Sequence, residues 1–244
     1  IKSLVSSATE ELYHIEFSDV TVNCITGDAT LRNVKLIPDT AVLRKLIALK
    51  RAPNNIYHIQ MRKLSVINVH PWKVYRQQRL NIDQVEINHP TITMVNKQYD
   101  FNENKPPRPE VSPYEMVAKY LKEVRISKIE FKDASFTYVD QNTAVPFKNS
   151  LKHFNVTMDG WLIDSTSVTV TSRFYLLKDL SLQLNDYQLA TADSLYYVQA
   201  NSMKFRASTG VLDIKRLSLI PRYDEMEFGK KPGSRKDRFS LELN

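Results

Sequence analysis

The chain has 244 residues, 42% of them hydrophobic and 10% aromatic, with a formal charge of +7 and a pI near 9.3. That composition excludes a disordered chain, and the single cysteine, Cys24, excludes an intramolecular disulfide or a cysteine-based metal cluster. No apolar run is long enough to span a bilayer as a helix, no signal peptide is visible, and the basic balance favours an acidic partner.

In chain order, residues 2–12 read as a helix. Cys24 sits in the apolar run of Val20, Val22 and Ile25 and is expected to be buried and inert. GDATLRNVKLIP (Gly27 to Pro38) shares its skeleton with GVLDIKRLSLIP (Gly210 to Pro221), and Tyr13 and Tyr196 stand at the same distance before the two glycines. Each stretch reads as one hairpin, turned at Gly27 or Gly210 and stopped at Pro38 or Pro221. Thr40–Arg51 reads as a helix with an apolar stripe from Val42 to Leu49, and Pro71–Arg79 as a short helix carrying Trp72 and Tyr75. Tyr99–Glu110 (YDFNENKPPRPE) is a Pro-rich polar connector. It divides a first block, 1–98, from a second, 112–244, with 99–111 between them; one continuous elongated domain is the other organisation. Ser112, Pro113 and Glu115 open a helix with a capping box, and Met116, Val117, Tyr120, Leu121 and Val124 extend its stripe. The basic stretch Gly229–Arg238 reads as a solvated loop. An Ile1 start and a stop at RFSLELN, within a strand-like stretch, read as a piece of a longer chain.

One short pattern dominates: apolar, two polar, apolar, polar, apolar. It occurs at Phe17-Val20-Val22, Leu31-Val34-Leu36, Met61-Leu64-Val66, Ile82-Val85-Ile87 and Ile126-Ile129-Phe131. It recurs at Leu151-Phe154-Val156, Leu177-Leu180-Leu182, Ala200-Met203-Phe205 and Ile214-Leu217-Leu219. The last two apolar positions share a strand face. The first reaches that face only if the chain slips by one residue, as at a bulge. Pro90 marks a further bend. The expected fold class is therefore mainly β with a few helices, an elongated, curved antiparallel sheet with helices packed on it.

The chemistry of catalysis is missing. His14, His58, His70, His89 and His153 make no metal spacing, and Asp159, Asp164, Asp186 and Asp193 read as turn residues flanking strands. Neither a cofactor nor a metal is expected, and the chain does not read as an enzyme. Basic residues in the polar slots (Arg32, Lys63, Lys128, Lys152, Lys215, Arg216) alternate with acidic ones, and the aromatics fall in apolar slots, so nucleic acid is not an expected partner.

The units LNIDQVEINHPTITMV (80–95) and VRISKIEFKDASFTYVD (124–140), with the hairpins ending VKLIP and LSLIP, resemble the AsmA-like superfamily of Gram-negative envelope proteins, in the form common in Bacteroidota. The resemblance implies a periplasmic protein held at the inner membrane by an anchor absent from this sequence. It also implies a role in lipid transfer or outer-membrane homeostasis, with phospholipid acyl chains as partners along an apolar trough. The candidates for that lining are Val85, Ile87, Ile129, Phe131, Phe154, Val156, Leu180, Leu182, Leu217 and Leu219. The same residues suit the filled core of a non-catalytic scaffold or interaction module. The two readings differ in whether the apolar face is open or closed.

Overall fold

The computed structural model of the chain describes residues 2–103, 112–142, 146–166, 176–191, 193–231 and 238–243. The fold is mainly β, with 59% strand and 15% helix. The first block contains α1 (Lys2–Ala8), β1 (Tyr13–Glu16), β2 (Asp19–Asn23), β3 (Asp28–Pro38), α2 (Thr40–Ala48), β4 (Asn55–Val69), α3 (Pro71–Gln77), β5 (Arg79–Asn88) and β6 (Thr91–Asn96). Helices α4 (Asp100–Glu103) and α5 (Pro113–Val117) lead to β7 (Glu123–Asp140), β8 (Phe147–Asp164), β9 (Asp179–Ala190), β10 (Tyr196–Arg206), β11 (Val211–Pro221), α6 (Glu225–Phe228) and β12 (Leu241–Leu243). All of these strands form one 12-stranded sheet in the order β1-β3-β4-β5-β7-β8-β9-β10-β11-β12, with β2 beside β3 and β6 between β4 and β7.

Neighbouring strands are antiparallel, as expected, except that β5 and β6 pair with β7 in parallel. A parallel neighbour requires β7 to start at the end of the sheet opposite to the one where β6 stops. The sheet is thus continuous through both sequence blocks. The described helices sit at strand ends. Leu46 of α2 packs with Leu12, Ala52 and Ile56, and Phe228 of α6 packs with Leu195 and Tyr196.

Three local expectations change. The helix expected over 113–124 stops at Val117, although its capping box forms: the Ser112 side chain accepts from the Glu115 N–H, and the Glu115 carboxylate accepts from the Ser112 N–H. Pairing with β5 claims the chain from Glu123 onward, so Val124 is a buried strand residue and Tyr120 is exposed. The helix expected to Arg51 ends at Ala48, and Lys50 turns left-handed at φ 55°. Cys24, expected to be buried, is exposed. It lies in the turn after β2, a strand that pairs only with β3, so Val20, Val22 and Ile25 of the same run are exposed as well.

The apolar pattern is explained by a crease. Left-handed residues recur across the sheet: Asn33 in β3, His89 between β5 and β6, Asp133 in β7, His153 in β8, Asp186 in β9 and Arg216 in β11. The registers place them in one line. Phe131 pairs with Val156, Ala134 with Phe154 and Phe136 with Leu151, so β7 and then β8 each take up one extra residue. His89 lies level with Asp133, because Asn88 pairs with Lys132 and Thr91 with Ser135. Each extra residue keeps Phe131, Ala134 and Phe136 on one face, which simple alternation would not do. Asp186, expected in a turn, lies in this line. Asn68 and Gly160, also left-handed, mark a second line about six residues, or roughly 20 Å, away along the strands.

The repeated hairpin is one unit used twice. Tyr13 pairs with Pro38, and Tyr196 with Pro221. Gly27 (φ 74°) and Gly210 (φ 63°) make the turns. Each unit then enters a helix capped by an aspartate, Asp39 or Asp224, and returns on a strand in the same register. Met61 and Ile59 stand opposite Val34 and Leu36 as Leu243 and Leu241 stand opposite Leu217 and Leu219. The glycines differ in surroundings. A Cβ on Gly27 would lie 2.1 Å from the Val69 carbonyl oxygen, whereas one on Gly210 would meet nothing within 4 Å.

Candidate functional site

The registers bring all ten lining candidates to one face. Val85 pairs with Ile129 and Ile87 with Phe131. Phe131 pairs with Val156, Val156 with Leu182, and Met158 joins Ile129 to Leu180. Phe154 follows Val156 on the same face, opposite Leu184. Leu182 and Leu184 continue into Phe205 and Met203, and beyond the crease Leu217 and Leu219 extend the face beside Ala200 and Val198. Toward the first edge, Leu64, Val66 and Leu31 carry it on. The apolar face therefore crosses the sheet from β3 to β11.

The crease bends toward this face. On the other face its polar residues Asn33, Arg62, His89, His153, Asp186, Asn201 and Arg216 are exposed. On the apolar face, the residues just past the crease are small or compact and deeply buried: Val34 at 2% exposure, Ala134 at 0% and Ala200 at 1%. Crowding inside a bend and exposure outside it are the two sides of one concavity.

The concave face is open. Not one of the ten candidates is buried; all are of intermediate exposure. The chain exposes 16530 Å² in total, where a compact domain of 28.3 kDa exposes about 11,200 Å². A cavity of about 320 Å³ opens where β8 and β9 part beyond Phe154 and Leu184, lined by Phe136, Tyr138, Leu151, Tyr187 and Leu189. Its size falls at the lower end of small-ligand sites.

The opposite face of the same strands is polar and ionic. Lys128 bonds Glu130 at 2.8 Å, Lys132 lies 3.4 Å from Glu130 and also bonds Glu86, and the Gln84 amide donates to Glu130 at 2.7 Å. The Lys132 hydrogen bond holds the Glu86 carboxyl below the ordinary glutamate range, and Lys128 does the same for Glu130. A cavity of about 430 Å³ on this side is lined by Asn155, Ser181, Lys204 and Arg206. At the crease the His153 ring donates to Asp133 at 2.7 Å, with His89 3.4 Å from the other carboxylate oxygen. Spacing gave no sign of this group, because its members come from separate strands. Among the described residues, no group of three or more histidine, cysteine or carboxylate side chains is placed to hold a metal ion. The basic stretch Gly229–Arg238 lies mostly outside the described residues.

Sequence reasoning also missed the exposed aromatics. Trp72, Tyr75 and Tyr120 are 61%, 83% and 69% exposed. The stripe pattern counts Tyr120 as part of a packed helix face, because the truncation of that helix is not visible in its pattern, and the pattern over Pro71–Arg79 does not show which way Trp72 and Tyr75 face. No known protein-family model matches the chain, and no curated protein is significantly similar to it.

Proposed function

We propose that the concave apolar face holds lipid acyl chains, and that the chain is a non-catalytic part of a lipid-handling system of the Gram-negative envelope, of the AsmA-like kind, working in the periplasm. The observation that carries this reading is a continuous apolar face, partly exposed, over which no layer lies among the described residues. A contiguous apolar surface left partly exposed marks an interaction site. Strands divided by two creases make a gutter whose central panel is about 20 Å wide, a width that suits acyl tails. Shelter and passage of a chain of methylenes need apolar contact and no reactive group.

The test is titration of the purified chain with a fluorescent phospholipid presented below its critical micelle concentration. Saturable uptake with an emission shift is expected, and competition by unlabelled phospholipid should reverse it. Failure to take up the probe would leave the apolar face to a protein ligand and support the scaffold reading.

A further inference from the structure

We infer that the end of the sheet carrying α3 docks on an anionic bilayer surface. This goes beyond the acyl-binding reading and stands whether or not the gutter holds acyl chains. Trp72 and Tyr75, one helical turn apart on α3, stack at 6.1 Å and project from the sheet. Tyr120 joins them from the segment before β7, where the Lys122 N–H bonds the carbonyl of Gln78, the C-cap of α3. The β2–β3 turn lies at the same end, with Val69 bonded to Gly27, and presents Ile25 at 97% exposure.

Cations surround these side chains. Arg76 lies 4.4 Å from the Trp72 ring and Lys119 5.6 Å from the Tyr120 ring. Lys73 and Lys122 make no ion pair among the described residues, and neither do Arg76 and Lys119. Of the carboxylates at this end, Glu123 is paired with Arg79 and Arg125, while Asp28 and Asp83 accept hydrogen bonds from Asn68 and, like Asp164 opposite Glu123, keep their charge. The surface therefore offers exposed aromatic rings, two of them, Trp72 and Tyr120, each beside a cation. Tryptophan and tyrosine favour the headgroup level of a bilayer, where the ring is sheltered and the polar tip stays wet. Lysine and arginine beside them meet the negative potential of anionic lipid. Docking here would set one end of the sheet against a membrane.

The experiment uses the whole chain with Trp161→Phe, which leaves Trp72 as its sole tryptophan. It is mixed with vesicles of equal parts phosphatidylcholine and phosphatidylglycerol, and with vesicles of phosphatidylcholine alone. Co-sedimentation with the anionic vesicles and a blue shift of Trp72 emission are expected, both weakened by added salt. Trp72→Ser with Tyr75→Ser should cut the apparent affinity at least about tenfold. Lys73→Glu with Lys119→Glu should do the same by charge while keeping the rings. Uptake of monomeric fluorescent phospholipid should be unchanged in both variants, which separates failure of docking from failure of the gutter. Equal binding to both vesicle types, or none, would overturn the inference. So would a concentration-dependent self-association lost in Trp72→Ser/Tyr75→Ser without any vesicle binding, which would assign the patch to a protein contact.

Discussion

On one face of β7 stand Ile129, Phe131, Ala134 and Phe136; on the other stand Lys128, Glu130 and Lys132, tied to one another and to Glu86. Burial does not separate the two faces. Phe131 and Glu130 are both of intermediate exposure. In a two-layer domain the apolar side would be closed and the polar side wet. Here the polar face satisfies itself through ion pairs and amide hydrogen bonds, while the apolar face has nothing comparable. What distinguishes the faces is the direction of the crease, which shelters the apolar side without covering it.

Three changes would break or sharpen that contrast. The largest effect is expected from Phe131→Asp with Leu182→Asp. Two carboxylates on the floor of the gutter should lower phospholipid uptake by more than about tenfold, because a charge buried against acyl chain is costly. The circular dichroism spectrum should be retained, since neither position lies in a closed core. Retained uptake would mean that the probe binds elsewhere.

Next is the crease itself. Ala134 has no exposure and sits inside the bend, so Ala134→Leu should destabilise the chain by about 1–3 kcal/mol through overpacking. On the convex side Asn201 is exposed, and Asn201→Leu should stay within about 0.5 kcal/mol. Equal effects in urea titrations would show that the bend has no inner side.

The smallest effect is electrostatic. Glu86 and Glu130 have carboxyl groups held below their ordinary range by Lys132 and Lys128. Their contribution is therefore full above the unfolded glutamate range and is lost as pH falls through the lowered folded values. The lysines are about half exposed, so solvent screening limits the total to about 1 kcal/mol or less. Glu86→Gln with Glu130→Gln should flatten the acid limb of the stability–pH curve measured by urea titration. A curve unchanged from wild type would mean the ion pairs are screened out.

Much of this contrast was legible in the residues. The two polar positions inside Leu151-Lys152-His153-Phe154 correspond to the bulge at His153, and the slip they require is the one in the register. That placed the ten lining residues on one face. Four features were not legible. The direction of bending depends on crowding at Val34, Ala134 and Ala200, residues contributed by separate strands. The parallel junction of β6 with β7 has no signature in the pattern of either strand. Cys24 and its apolar neighbours looked like core because a period-two pattern cannot tell an edge strand from a central one. The grouping of Trp72, Tyr75 and Tyr120 likewise arises only when β5 and β7 lie side by side and bring Gln78 to Lys122.

The most direct measurement is native mass spectrometry of the purified chain, followed by organic extraction and lipid analysis. An open gutter predicts phospholipid bound at stoichiometric level, lost in the Phe131→Asp/Leu182→Asp variant. A lipid-free monomer that also rejects added phospholipid would contradict the account and leave the apolar face to a protein.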